Sequence, residues 1–173
     1  MKQNERGFTL VEVVAVIAIS AAIAGAAALG VFQVVKGAER SNEHIAAVDQ
    51  VRNAGYWVSS DAQRAQKLVV DGLTPPKFLI VSWTEWNSDD KHEITYTLEN
   101  MPSTGLRQLQ RSESINEGAP ITTVVAKYID PDPAKSSCVI IEDRLILTIT
   151  AAVSLGSQTK SETRIFEIMP RPD

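Results

Sequence analysis

An unbroken run of apolar positions fills the N-terminal fifth of the chain, while the remainder is polar and carries only short apolar segments. Of the 28 residues from Phe8 to Val35, 22 are hydrophobic, and the 23 positions between Glu12 and Lys36 carry no charge. At a rise of ~1.5 Å per residue such a run forms a helix of about 35 Å, long enough to cross a hydrocarbon core. Because these residues are apolar all round rather than along one stripe, they predict a membrane-spanning helix.

A second helical pattern is predicted from residue 41 to residue 66, with Gly37 as a candidate flexible joint before it. Apolar residues recur there at steps of three or four: Ile45, Val48, Val51, Gly55, Val58, Ala62 and Ala65. Four charged residues lie off this stripe: Asp49, Arg52, Asp61 and Arg64. We therefore expect an amphipathic helix that rests on a globular head, with Tyr56 and Trp57 packing against a sheet. One Gly costs only ~1 kcal/mol in a helix, so Gly37 need not break it.

From Lys67 onward the period of the apolar positions changes to two, and turn residues punctuate the chain. The candidate strands are 78–83, 92–98, 106–111, 121–129, 138–141, 144–153 and 162–169. Glu142 and Asp143 are placed to turn a hairpin, and the strand 144–153 is apolar enough to be buried on both faces. One long helix followed by six or seven antiparallel strands predicts the α+β class.

The overall composition excludes several classes of protein. A chain of 173 residues with 22% charged and 44% hydrophobic residues is neither disordered nor collagen-like, and fits one domain with an appendage. A single cysteine, Cys138, excludes an intramolecular disulfide framework, and its apolar surroundings predict a buried thiol. The net charge of −4 and the absence of a block of Lys and Arg argue against a nucleic-acid binder.

The basic residues before the apolar run set its expected orientation. Lys2 and Arg6 precede the run, and a nearby acidic residue such as Glu5 counts little, so we expect the N-terminus in the cytoplasm and the remainder outside. A cleaved secretory signal is the alternative, with the alanines at 26–28 as a cleavage site. The run is, however, longer than the ~7–15 apolar residues of such signals.

Glu12 is the one charge inside the apolar segment. A carboxylate costs several kcal/mol at the centre of a bilayer and less near its surface, so such a group has a partner or a task. Two interpretations of Glu12 follow from spacing alone. It is either a carboxylate that pairs with a cation, or a carboxylate at headgroup depth that reaches water close to Arg6 and Lys2.

The sequence Gly7-Phe8-Thr9-Leu10-Val11-Glu12, followed by this apolar run, resembles the N-terminal signature of type IV pilins and type II secretion pseudopilins. The resemblance covers about residues 2–35 and implies a pilin-like fold, in which a long N-terminal helix packs on an antiparallel β-sheet head. It implies cleavage between Gly7 and Phe8 by prepilin peptidase, N-methylation of the new Phe8 amine, and pairing of Glu12 with the N-terminal amine of a neighbouring subunit. The implied order is a leader at 1–7, a transmembrane and assembly helix at 8–35, an amphipathic helix at 36–66 and an extracytoplasmic head at 67–173.

The resemblance also implies partners and a location. The implied partners are prepilin peptidase/N-methyltransferase, other pilin or pseudopilin subunits, a membrane assembly platform and cytoplasmic-membrane lipid. The chain would cross that membrane once before it enters a surface or periplasmic filament. Many major pilins have a Pro in the apolar helix and a C-terminal Cys pair, and the absence of both features here favours a minor pilin or pseudopilin. The alternative is a membrane-anchored adhesin or ligand-binding module, including one for DNA uptake.

No catalytic motif accompanies the N-terminal signature, so we expect a structural protein rather than an enzyme, with no cofactor and no metal. His92-Glu93 lacks the second His of a zinc-protease motif, and no phosphate-binding loop or Gly-x-Ser-x-Gly elbow occurs. The acidic loops 87–90 and 130–133 contain oxygen ligands that suit Ca²⁺, yet Asp, Asn and Pro are also ordinary turn residues. Trp83 and Trp86 are three positions apart, so on a regular strand they face opposite sides and at least one is expected in the core.

Overall fold

A computed structural model describes residues 9–102, 104–154 and 159–170 of the chain. The chain divides into two compact units, one up to Ser41 and one from Asn42 onward, and each is described by itself. The described residues form one helix, α1 (Leu10–Ala62), and eight strands: β1 (Lys67–Val69), β2 (Lys77–Thr84), β3 (Lys91–Asn100), β4 (Arg107–Ile115), β5 (Ile121–Ile129), β6 (Ser137–Ile141), β7 (Arg144–Val153) and β8 (Lys160–Ile168). This order confirms the expected α+β, pilin-like architecture.

Helix α1 includes Gly37, so the two predicted helical stretches belong to one element. Its end comes at Ala62, four residues before the predicted one. There the N–H groups of Arg64 and Ala65 donate to carbonyls three residues earlier, at 3.1 and 3.2 Å, which tightens the last turn. The N–H of Gln66 then donates to the carbonyl of Ser82 at 3.0 Å, so the backbone passes directly from the helix into sheet pairing.

The eight strands form one antiparallel sheet. Its hydrogen-bonded path runs β1-β2-β3-β4-β5-β7-β6, and β8 pairs with the opposite edge of β7. Strand β7 is the hub of this arrangement, because β6 pairs with its first half, β5 meets it at Ala151, and β8 pairs along Leu145–Val153. The predicted turn at Glu142 and Asp143 joins β6 to β7, with both residues at positive φ (49° and 62°), as a tight hairpin turn requires.

The core of the second unit lies between one face of the sheet and the last third of α1. The helix contributes small buried residues, chiefly Val51, Ala54, Val58 and Ala62, which let it lie close to the strands. The largest fully buried side chains of the sheet are Leu79, Ile94, Tyr96, Leu109, Ile129, Leu145, Leu147 and Ile149. In β7 the alternation is clear: Leu145, Leu147 and Ile149 are buried, whereas Ile146 and Thr148 on the other face are half-buried.

Three expectations about the helix stripe are wrong. Ile45 was expected on the buried stripe but is 53% exposed, and Tyr56 was expected against the sheet but is 68% exposed. Asp61 was placed off the stripe, yet its carboxylate is buried, because it has partners on the sheet that lie far away in sequence. Trp57 does contact the sheet, with its ring 5.2 Å from the guanidinium carbon of Arg111 in β4.

Candidate processing and assembly site

The residues expected to be cut and modified lie at the very start of the chain. Lys2, Arg6, Gly7 and Phe8 fall outside the described residues, so their roles in topology and processing stay predictions. Glu12, the expected assembly residue, lies in the first turn of α1.

Thr9 and Glu12 together close the start of helix α1. The N–H and the hydroxyl of Thr9 both donate to Glu12 Oε2 at 3.5 Å, and the N–H of Glu12 donates to Thr9 Oγ1 at 3.4 Å. This reciprocal arrangement is a capping box, in which a Thr at the N-cap and a Glu three residues later satisfy each other's free backbone donors. The Thr-x-x-Glu spacing is visible in the sequence, but Glu12 was expected either to pair with a cation or to reach water at headgroup depth, and not to cap the helix.

The capping box changes what Glu12 needs from a neighbour. In the single chain its carboxylate already has local donors and lies at the positive end of the helix dipole, where a negative charge is favourable. These contacts are long, however, and neither donor carries a positive charge. A cation brought to the same place would form a stronger, charge-assisted bond. Both Thr9 and Glu12 are also on the retained side of a cut between Gly7 and Phe8.

The apolar residues of α1 that follow Glu12 are exposed in the single chain. Ile17, Ile23, Leu29 and Val34 are all more than 60% exposed. The described residues contain one helix that is long and apolar enough to cross a membrane, and it is this one. The uncharged run ends at Lys36, whose ammonium lies 4.6 Å from the centre of the Phe32 ring. Such an apolar surface needs lipid or other helices around it.

In the second unit, a buried ion pair fastens the end of α1 to the sheet. Arg111 of β4 donates to both carboxylate oxygens of Asp61, at 2.7 Å from Nε and 3.1 Å from Nη2. The hydroxyl of Tyr96 in β3 also donates to Asp61. Burial raises the pKa of Tyr96, and the neighbouring Asp61 charge raises it further, so this phenol remains a hydrogen-bond donor.

The ion pair continues along the sheet away from the helix. Arg111 Nη1 donates to Glu113 at 2.8 Å, and the two ring nitrogens of His92 face Glu113 at 3.2 Å and Glu85 at 3.6 Å. Burial lowers the pKa of Arg111, but the bonds to Asp61 and Glu113 outweigh it and leave that pKa raised. The opposite balance acts on Glu113, where burial raises the pKa and Arg111, followed by His92, lowers it to a value below the ordinary one.

The contacts of His92 are those of a structural residue rather than of a catalytic base. Its ring stacks on Trp83 at 4.9 Å between centres, and both nitrogens face carboxylates rather than a serine or cysteine. Ser114, which lines the same 410 Å³ cleft, donates its hydroxyl to the carbonyl of Gly118. The cleft therefore does not show the pairing of nucleophile and base that covalent catalysis requires.

The Cys138 thiol and the acidic loops 87–90 and 130–133 interact with neighbouring groups of the chain itself. Burial raises the pKa of the Cys138 thiol to about 12, as expected for a thiol that packs against the core. Asp130 accepts from Lys135 Nζ at 2.9 Å and from the N–H of Asp132 at 3.1 Å. Asp90 accepts from Asn116 at 2.7 Å. Among residues 9–102, 104–154 and 159–170, no three His, Cys, Asp or Glu side chains gather as metal ligands would.

An exposed apolar N-terminal helix followed by an antiparallel β-sheet gives the chain a pilin-like α+β architecture. Residues 2–28 match the family model of the prokaryotic N-terminal methylation motif, so the chain carries the signature of type IV pilins and pseudopilins. Proteins with this signature are structural subunits, processed by prepilin peptidase and assembled with other pilin subunits. The signature and the apolar helix fit anchoring in the inner membrane before assembly. No curated protein and no solved structure matches the chain.

Proposed function

We propose that this chain is a minor pilin or pseudopilin, a structural subunit of a type IV pilus or of a filament like that of type II secretion. One observation carries the proposal: the methylation motif at residues 2–28 overlaps the exposed stretch of α1, residues 13–35, that carries no charge. The motif is the recognition sequence for a peptidase, and the helix provides the surface through which subunits pack together once they leave the lipid. A minor position is supported by the absence of Pro from residues 1–74 and by the single Cys138.

The proposed sequence of events starts with the precursor in the inner membrane. Lys2 and Arg6 hold the leader, residues 1–7, in the cytoplasm, while the head at 67–173 lies outside. Prepilin peptidase cuts between Gly7 and Phe8, and the new Phe8 amine receives one methyl group. The protonated amine then supplies the cation that Glu12 of a neighbouring subunit lacks. This contact joins different surfaces of two subunits and does not close into a ring, so repeated contacts extend into a helical filament.

Mass spectrometry of the protein purified from its host tests the processing step. We expect a mature N-terminus at Phe8 that carries one additional methyl group, and we expect this form to disappear when the host's prepilin peptidase is deleted. An intact Met1 terminus would contradict the proposal, and so would cleavage beyond Ala24, which would indicate an ordinary secretory signal.

A further inference from the structure

Two turns at one end of the sheet, together with the strand residues that flank the second turn, expose large apolar side chains. The β2–β3 turn (85–90) and the β4–β5 turn (116–120) are neighbours, since His92 at the start of β3 pairs with Ile115 at the end of β4. Trp86 is 91% exposed, Ile121 is 75% exposed and Ile115 is 46% exposed. We call residues 85–90 and 115–121 the tryptophan tip. It lies entirely in the second unit of the chain.

Trp86 differs from the other two tryptophans in the absence of a described aromatic or cationic contact. Trp57 covers the guanidinium of Arg111, and Trp83 stacks on His92. Trp86 is left almost wholly in solvent, although burial of a side chain of this size is strongly favourable. Exposed apolar groups that cluster in this way mark places where another molecule docks, and tryptophan is enriched among the residues that contribute most to binding.

Hydrogen bonds hold the backbone of the tryptophan tip. The N–H of Glu85 donates to the carbonyl of Asp90 at 2.8 Å, and the N–H of Asp89 donates to the carbonyl of Glu85 at 2.9 Å. Asn116 joins the two turns, because it accepts from the N–H of Lys91 at 2.9 Å and donates to Asp90 at 2.7 Å. A turn backbone that is already held in this way loses little conformational entropy on binding.

The charge around Trp86 selects the chemistry of the partner. The two turns carry four carboxylates, Glu85, Asp89, Asp90 and Glu117, against one flanking cation, Lys91, so the tip is negative overall. Asp90 keeps a lowered pKa because of its hydrogen bonds from Asn116 and then Ser88, so it stays ionised. Nucleic acid and anionic lipid are repelled by such a surface, whereas a protein with basic residues around an apolar pocket is attracted.

We propose that the tryptophan tip docks a partner protein whose apolar pocket receives the indole of Trp86 and whose rim is basic. This goes beyond the filament role, since it concerns the head and needs neither the leader nor Glu12.

The experiment uses the full-length protein in its host cells, with a photo-crosslinking amino acid in place of Asn87. We expect a covalent adduct with another protein, and we expect the Trp86→Ala change to lower its yield at least about tenfold. Peptide mapping of the adduct should place the crosslink on the partner beside Lys or Arg and an apolar pocket. Tyr56→Ala removes another exposed aromatic side chain and should leave the yield unchanged.

A second pair of variants tests the charge. Asp89→Asn with Glu117→Gln neutralises two carboxylates of the tryptophan tip and should lower the adduct yield at least about threefold. The matched control, Glu142→Gln with Asp143→Asn, makes the same change at another turn whose residues also have positive φ, and should have no effect. Equal unfolding temperatures of all variants show that the tip and not the fold has changed.

The proposal is overturned if no adduct forms, if Trp86→Ala leaves the yield unchanged, or if the adduct contains lipid or nucleic acid. An adduct of two copies of this chain also overturns it, because the partner is then the protein itself. The adduct and the methylated Phe8 terminus are measured separately, so failure of one proposal is distinguished from failure of the other.

Discussion

Gly55 is the residue at which helix α1 meets the ring of Phe166 in β8. A Cβ added at Gly55 would lie 2.2 Å from Phe166 Cζ, well inside the contact distance of two carbon atoms. Gly55 is therefore required for packing rather than for backbone freedom, since it lies in the interior of a helix. By contrast, a Cβ at Gly37 would have no atom within 4 Å.

We expect Gly55→Ala to destabilise the head and Gly37→Ala not to. The added methyl group forces the Phe166 ring to move, and overpacking of this kind costs about 1–3 kcal/mol, at least as much as the ~1 kcal/mol that Ala gains over Gly in a helix. Thermal unfolding of the full-length protein in detergent, followed by tryptophan fluorescence, measures the difference. An equal or higher unfolding temperature for Gly55→Ala would show that the Phe166 contact is not tight.

At the scale of elements, α1 and the sheet are joined by a chain of ion pairs rather than by apolar contact alone. Asp61 on the helix contacts Arg111 and Tyr96, and Arg111 continues to Glu113. Removal of one partner from a buried pair leaves an uncompensated charge, which is much more costly than the pair itself. The network therefore specifies where the helix lies on the sheet, because any other register would strand the Asp61 carboxylate.

This network makes the head sensitive to acid. Glu113 has a lowered pKa in the folded state, so the unfolded chain binds more protons than the folded one as the pH falls. The stability from Glu113 is present above the ordinary Glu pKa of about 4.3 and is lost as the pH falls through the folded value. We expect Glu113→Gln, which cannot titrate, to flatten the loss of stability between about pH 5 and pH 3. Denaturant titrations at several pH values measure this loss, and an unchanged slope would contradict the role of Glu113.

Sequence reasoning recovered the elements with a strong period and missed those that depend on distant partners. Strands β5 and β7 have the predicted bounds, because their β-branched runs are long and end at turn residues. Strand β1 was missed, since three residues at the edge of a sheet show no periodicity. The burial of Asp61 was also missed, because its partner Arg111 lies 50 residues away and polar residues are normally assigned to the surface.

The candidate site shows the same division. The motif around Gly7, Phe8 and Glu12 is a local pattern, so sequence alone was sufficient to find the signature, and the family model matches residues 2–28. The capping box could be predicted from the Thr9–Glu12 spacing alone. The exposure of Trp86 depends on how two turns meet at the end of the sheet, and no local pattern reports that.

At the scale of the whole molecule, variants can separate the two roles of Glu12. The capping box requires a hydrogen-bond acceptor at this position, whereas the proposed charge pair requires a negative charge. Glu12→Gln keeps an acceptor for the Thr9 N–H but removes the charge, whereas Thr9→Ala removes the cap hydroxyl and keeps the charge. We expect all variants, including Glu12→Ala, to be cut by the peptidase. Incorporation into sheared filaments should fall for both Glu12 variants and persist for Thr9→Ala.

Immunoblots of the filament and membrane fractions measure that incorporation, and the N-terminal mass confirms processing. Wild-type incorporation of Glu12→Gln would show that helix capping, and not the charge, is what assembly requires. Loss of incorporation in Thr9→Ala with normal processing would lead to the same conclusion.

The way that residues 42–62 are fastened to the sheet has a mechanical consequence. A subunit of the proposed kind is pulled through its N-terminal helix, and within the second unit that tension enters at Asn42. Three contacts to the sheet follow one another along the helix. Gln50 accepts from the Lys127 N–H, Gly55 packs against Phe166, and Asp61 near the end of the helix pairs with Arg111. Load that enters at Asn42 strains the attachment nearest to it first and reaches the Asp61–Arg111 ion pair last, so this pair still holds the end of the helix on the sheet after the earlier contacts have yielded.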